Sequence, residues 1–295
     1  MMPQSDKRLQ DQTPPAFPAA VAHHPRAWRD MLFCYPVISR RSKGLSIGVN
    51  LNPDQACNYD CVYCEVDRTH SPRVRTVDLP RLELELRALA GGWRELFDDP
   101  AFVAVPEAYR RLNDIAFSGD GEPTAAPAFT NAVEVVARVR RELGLTAAKV
   151  IVITNACFLT RPAVVQSLRV LDENGGEIWA KLDAGTEAYH ERINRPSHPL
   201  VHVLDNILAA ARVRPLVIQS LFCRFDGAPP DDTEIGAYVD RLATLLAQGA
   251  QLSLVQIYTV ARIPAVRSVA ALSASELESI ARRVRSLGVP AESFA

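Results

Sequence analysis

From about residue 45 onward, short apolar runs alternate with longer amphipathic ones, and this alternation limits the folds open to the chain. Strand-like runs cover 45–51, 114–117, 149–154, 177–182, 216–221 and 252–258. Between them lie stretches with helical spacing at 128–143, 161–173, 200–213 and 232–248, and a last one runs from about 275 to 286. Ser273, with Glu276 three residues on, gives that last helix a capping pattern. Earlier, Leu82, Leu86 and Leu89 recur at helical spacing, followed by a Gly91-Gly92 break and the aromatic group Trp93, Phe97 and Phe102. Repeated strand–helix units predict a parallel sheet. Six such units predict an α/β fold, a partial (β/α)6 TIM-like barrel short of the closed eight-fold form. A flat doubly wound sheet is the alternative.

Chemistry concentrates behind the first strand. In 45–51, Ile47, Val49 and Leu51 alternate with small or polar residues, which puts Asn50 and Asn52 together on the opposite face. Pro53 ends the run, and Cys57-Asn58-Tyr59-Asp60-Cys61-Val62-Tyr63-Cys64 follows. The thiols of Cys57, Cys61 and Cys64 are soft ligands, which select zinc, copper(I) or an iron–sulfur cluster. Structural zinc takes four protein ligands, and His70 is available as a fourth. Zinc modules of that kind are small and autonomous, whereas this loop caps the first strand of a large α/β domain. A redox pair of Cys61 and Cys64 leaves Cys57 unexplained. A cluster with three cysteine ligands leaves one iron for a chelating small molecule. Cys34, Cys157 and Cys223 have no local spacing and read as isolated buried residues.

Composition narrows the setting. The net charge is −1, so no global basic field marks a nucleic-acid binder. Of the 33 basic residues only Lys7, Lys43, Lys149 and Lys181 are lysines, a bias that coding composition explains better than function. No apolar run is long enough to span a bilayer and no secretory leader is visible, so the reading is a cytoplasmic protein without membrane contact. Clustered rather than framework cysteines agree with a reducing compartment. Residues 1 to about 25 are polar and Pro/Ala-rich and are expected to lack fixed structure, leaving 26–295 as a single core domain. A short helix is expected around 27–33. Ser39-Arg40-Arg41-Ser42-Lys43-Gly44 is a compact basic loop, equally suited to meeting phosphate and to a solvated turn.

The cysteine loop resembles the C-x3-C-x-aromatic-C signature of the radical S-adenosylmethionine (SAM) superfamily, with Tyr63 as the aromatic. Three further segments stand in the order that superfamily shows. Phe117-Ser118-Gly119-Asp120-Gly121-Glu122-Pro123-Thr124 follows the second strand, Thr154-Asn155-Ala156 the third, and Lys181-Leu182-Asp183-Ala184 ends the fourth. The Gly-x-Gly-Glu-Pro-Thr stretch, the Leu-Asp-Ala strand end and Asn194-Arg195-Pro196 look most like the branch of wybutosine-pathway tRNA enzymes, 4-demethylwyosine synthase among them. The resemblance implies that Cys57, Cys61 and Cys64 hold a [4Fe–4S] cluster whose fourth iron takes SAM. It places Tyr63 near the adenine and Gly119 and Gly121 where backbone approaches the cofactor. Glu122 would then meet the methionyl amine and Asp183 the ribose, with Asn155 on the same face. Asp120 splits the two glycines, a departure from the family pattern. Helix capping is the plainer role for Glu122 and Asp183.

The implied activity is reductive cleavage of SAM to a 5′-deoxyadenosyl radical that abstracts hydrogen from a substrate, with a one-electron reductant such as flavodoxin or ferredoxin as partner. Lys181 leaves its strand on the same face as Asp183 and is the candidate catalytic residue, the alternative being an interior charge paired with a carboxylate. Gln219 and Gln256 are candidate polar groups of the barrel interior, and Tyr258 and Arg262 follow the sixth strand. The substrate class stays open between a small molecule, a peptide and RNA.

Overall fold

The computed structural model describes residues 28–262, 264 and 266–295. The expected unstructured segment, residues 1 to about 25, lies outside them. Among the described residues, ten strands and seven α-helices follow in chain order: β1 (Cys34–Ser39), β2 (Gly44–Val49), α1 (Leu79–Gly91), β3 (Leu112–Phe117), α2 (Phe129–Glu142), β4 (Lys149–Thr154), α3 (Pro162–Asp172), β5 (Gly176–Lys181), α4 (Glu187–Asn194), α5 (Leu200–Ala211), β6 (Leu216–Leu221), β7 (Cys223–Phe225), α6 (Asp232–Ala247), β8 (Leu252–Tyr258), β9 (Val269–Ala271), α7 (Ala274–Arg285) and β10 (Ala291–Phe294). One eight-stranded sheet has the order β1-β2-β3-β4-β5-β6-β8-β10. The pairings from β2 through β8 to β10 are parallel, and β1 runs antiparallel to β2. Strands β7 and β9 form a separate antiparallel pair. The parallel sheet curls into the expected partial TIM-like barrel.

Alternation along the strands sorts the two faces. Outward residues such as Ile47, Ile115, Val150, Val152, Ile178 and Ile218 join the main core with leucines and valines of the helices. Leu82, Leu86 and Leu89 of α1 belong to it, each at most 2% exposed. A smaller cluster of Ala116, Ile151, Trp179 and Val217 carries the opposite side-chain parity. On β3, β4 and β5, Ala116, Ile151 and Trp179 border the barrel cavity. The helix caps follow local chemistry. Ser273 and Glu276 close a capping box on α7, and Thr186 and Asp231 cap α4 and α6.

The six strands expected from the sequence form one consecutive block of the sheet, and the edges are where the expectation fell short. The helix expected over 27–33 does not form in residues 28–33, which make a turn and an extended entry to β1. Its cause is Glu85, a buried carboxylate on α1. Glu85 accepts from the backbone N–H groups of Leu32 (3.0 Å), Phe33 (2.8 Å) and Cys34 (3.1 Å). Those donors are held toward α1 instead of along a helix axis. Strand β1 carries Pro36, which interrupts a strand pattern and is tolerated because β1 is an edge. The basic loop is the turn that joins β1 to β2.

Candidate active site

The cysteine loop lies across the carboxyl ends of the strands, and a segment the sequence reading touched only as a motif holds it there. Val62 donates its backbone N–H to Ile193 (2.9 Å), Asp60 to Arg195 (3.3 Å), and Ser197 donates to Asn58 (3.1 Å). Tyr59 bridges to Pro196. Arg195 takes a left-handed conformation (φ 43°) as the cap of α4, which turns the chain to run beside the loop. Asn194-Arg195-Pro196 is thus a splint for the cysteines. The Asn194 amide donates to the Tyr63 hydroxyl (2.9 Å) and to Asp183 (3.0 Å), and lies 3.6 Å from the Cys61 sulfur.

All three thiols of the loop line one cavity of about 310 Å³, and none is in a disulfide. Cys57 is exposed, and Cys61 and Cys64 are half-buried. Desolvation pushes the Cys61 thiol up to about 12, against the pull of hydrogen bonds from Tyr63 and Asn194, and it pushes Cys57 up as well. Thiolates at such positions need a cation on them. The Arg68 guanidinium stands 3.4 Å from the Cys64 sulfur. His70 turns away to Asp67 (3.0 Å) and Thr69 (3.1 Å) and is exposed. Among the described residues no three His, Cys, Asp or Glu side chains converge on a single metal ion. His70, the fourth ligand a Cys3His zinc site would need, does not line the cavity with the three thiols.

The glycine turn is tied to the same loop. Gly119 and Gly121 do approach something closely, but it is the chain itself. An added Cβ would lie 2.4 Å from the Asn50 side-chain oxygen at Gly119 and 2.1 Å from the Ala56 carbonyl at Gly121. Asn50 donates to Asp120 (2.7 Å) and accepts from the backbone of Asp120 (3.2 Å) and Asn52 (3.0 Å). The residue that splits the glycines is therefore latched to the end of β2. Both glycines and Asp120 line the cavity.

Glu122 lies 3% exposed at the cavity wall. It caps the short 3-10 turn Pro123–Ala125, accepting from Thr124 N–H (3.0 Å), and it also accepts from the Thr154 hydroxyl (2.7 Å) and Asn155 N–H (2.7 Å). Burial pushes its carboxyl up, against those hydrogen bonds. Asn155 in turn donates its amide to Asn58 in the cysteine loop (2.8 Å). The third strand end, the glycine turn and the cysteines thus form one hydrogen-bonded rim.

Asp183 is a hub behind that rim. It accepts from the Tyr63 hydroxyl, from Lys181 (3.2 Å), from Asn194 and from the Leu221 backbone N–H (2.8 Å). It does not line the cavity, whereas Tyr63 and Lys181 do. Lys181 also donates to the Tyr258 hydroxyl (2.8 Å) and sits 5.1 Å from the Tyr63 ring centre. Burial pulls the Lys181 pKa down, but the Asp183 carboxylate and Tyr258 outweigh it and hold the ammonium charged. Lys181 thus stands paired with a carboxylate in the interior. Gln219 and Gln256 pair side by side on β6 and β8 (2.8 Å), with Gln219 in register with Lys181. Arg262 forms an ion pair with Glu65 just after the cysteine loop (2.7 Å). Cys34, Cys157 and Cys223 are buried and do not line the cavity, Cys157 donating to the Tyr59 hydroxyl (3.3 Å).

No family model matches the chain. A UPF0026 protein of Methanocaldococcus jannaschii is 31% identical over 179 residues, which cover 59% of this chain and 46% of the relative. The chain spans about half the length of the curated relatives it matches. A radical SAM methyltransferase from Sphaerobacter thermophilus superposes with a TM-score of 0.60 at 16% identity, over 88% of this chain and 68% of that one. Streptococcus suis SuiB, solved with S-adenosylmethionine bound, gives 0.54 at 11% identity, over 87% and 49%. The fold is that of radical SAM enzymes. No helix among the described residues is long and apolar enough to cross a membrane.

Proposed function

We propose that the protein is a radical SAM enzyme in which Cys57, Cys61 and Cys64 hold a [4Fe–4S] cluster. The carrying observation is that these three thiols line one cavity together with Gly119, Gly121, Glu122 and Asn155. The donor set fits the group: soft thiols, with one position left for a chelating amine and carboxylate. When bound, the cluster and SAM supply reductive cleavage of a sulfonium and hydrogen-atom abstraction. The chain's own residues supply the enclosure. The buried Glu122 carboxylate offers its charge to a cationic amine, and Asn155 ties that wall to the cysteine loop. Asp183 acts through Tyr63 and Lys181, which it orients, while the fixed Lys181 ammonium sets a positive potential on the interior side of Tyr63. The reductant is a one-electron donor of the flavodoxin or ferredoxin class.

Iron analysis tests this reading. The anaerobically reconstituted full chain should be brown, with an absorbance shoulder near ~400 nm and about four irons per chain. Colourless protein carrying one zinc would remove it. Modification of RNA in the manner of wyosine enzymes is supported by the Gly-x-Gly-Glu-Pro-Thr and Asn-Arg-Pro motifs alone. In the basic turn, read from the sequence as suited to phosphate or to a solvated turn, Lys43 pairs with Glu292 (3.0 Å) and Arg41 lies over Trp179 and Tyr258 at the cavity.

A further inference from the structure

Below the rim the cavity continues to a floor that the cofactor reading leaves unused. Two buried acceptors face it from different strands. Asp114 on β3 is 2% exposed; one carboxylate oxygen accepts from Ser46, and the other, Oδ2, has no hydrogen-bond partner. Gln219 on β6 is 0% exposed; its amide N–H is taken by Gln256, and its carbonyl Oε1 has no partner. A buried acceptor left unmade costs about 1–3 kcal/mol. The Ser42 hydroxyl, itself buried and unpartnered, stands near Asp114, whereas Gln219 Oε1 is left for a donor from outside the chain.

A cation stands beside them. Arg41 reaches in from the β1–β2 turn and lies over the Tyr258 ring (4.6 Å to its centre) and the Trp179 ring (5.9 Å). Among the described residues Arg41 forms no ion pair, although its charge is felt at Asp114. A guanidinium packed on aromatic faces keeps its edge free for a planar anion. Ala116, Ile151 and Ile153 supply an apolar wall between the acceptors. Behind Arg41 the seam between the β1–β2 turn and β10 is bridged by Lys43 and Glu292.

We infer that this floor is a substrate subsite for a small molecule that carries both an amino or hydroxyl donor and a carboxylate or phosphate on a short carbon skeleton. Asp114 and Gln219 receive the donors, Arg41 receives the anion, and the apolar wall takes the carbon between them. The inference rests on the radical SAM reading for the rim above, and it adds the class of molecule presented to that rim.

The test is equilibrium dialysis of the reconstituted full chain against a deproteinised small-molecule extract of the source cells supplemented with S-adenosylmethionine, with retained species identified by mass spectrometry. The wild-type protein should retain a compound bearing both groups. Retention should fall at least ~tenfold in Asp114→Asn and in Arg41→Gln, each of which removes one charge-assisted contact. Cooperative melting no lower than that of the wild type, with unchanged iron content, shows that each variant is folded; a variant that fails this check is replaced by Asp114→Ser or Arg41→Lys. Retention of a compound lacking either group, retention indifferent to both variants, or no companion to retained SAM overturns the inference. Failure to retain SAM in the wild-type protein removes the cofactor reading above it.

Discussion

At the scale of single residues, Asp114 shows how burial and charge interact in this barrel. Desolvation raises its carboxyl from an ordinary 3.8 to about 6, against the Ser46 hydrogen bond, the nearby Ser42 hydroxyl and the Arg41 charge, with Glu177 adding to the rise. A carboxyl raised in the folded state contributes stability that is complete below its unfolded pKa and is lost as pH climbs through the folded one. The window is therefore roughly pH 4 to 6. Asp114→Asn should match the wild type in stability near pH 4 and exceed it by about 3 kcal/mol at pH 7, measured by urea melts across that range. A constant difference across the range would show that Asp114 is not the titrating group. The same residue marks a limit of sequence reading. Asp114 opens a strand-like run, where a carboxylate reads as a solvated end, and only the alternation of β3 carried on to Ala116 turns it inward. Cys57, Cys61, Cys64, Glu122 and Asn155 could be grouped from the sequence because the order of their segments resembles a known one, and all five line the cavity. The closeness required at Gly119 and Gly121 was legible too, but its partners, Asn50 and Ala56, were not, since nothing local says which atoms a glycine must admit.

At the scale of elements, the strands and helices with strong periodicity stand where the pattern put them; 149–154, 216–221 and 252–258 match β4, β6 and β8 end for end. What was missed depends on long-range contacts. Strand β1 exists because a helix 50 residues later donates a carboxylate to its entry, Glu85 reaching Cys34 across a separation of 51 positions. Glu85 also pairs with Arg81 (2.8 Å). Glu85→Ala leaves three backbone donors without that acceptor and should cost about 3 kcal/mol, with amide exchange of residues 32–34 rising most. Full protection at those amides would show that another group anchors β1. Helix α4 was missed because it is short and polar. Its importance lies in its C-terminal turn, where Asn194-Arg195-Pro196 braces the cysteine loop.

At the scale of the whole molecule, an open sheet is bent until its two edge regions meet. The turn after β1 and the strand β10 lie at opposite ends of the strand order, yet Lys43 and Glu292 join them at 3.0 Å. The pair is half exposed, so its contribution to global stability is at most about 1 kcal/mol. Its effect is local closure. Lys43→Glu should leave the melting temperature almost unchanged while speeding amide exchange in β10 and not in β3 to β5; uniform exchange would show that the seam is closed by other contacts. The central claim concerns what the three-cysteine loop does at the mouth of this barrel. It is tested most directly by incubating the anaerobically reconstituted full chain with S-adenosylmethionine and dithionite and measuring 5′-deoxyadenosine by mass spectrometry, beside Cys61→Ala. The account predicts 5′-deoxyadenosine from the wild-type protein and none from the variant. Its absence from iron-loaded wild-type protein, or its persistence in Cys61→Ala, would contradict the account.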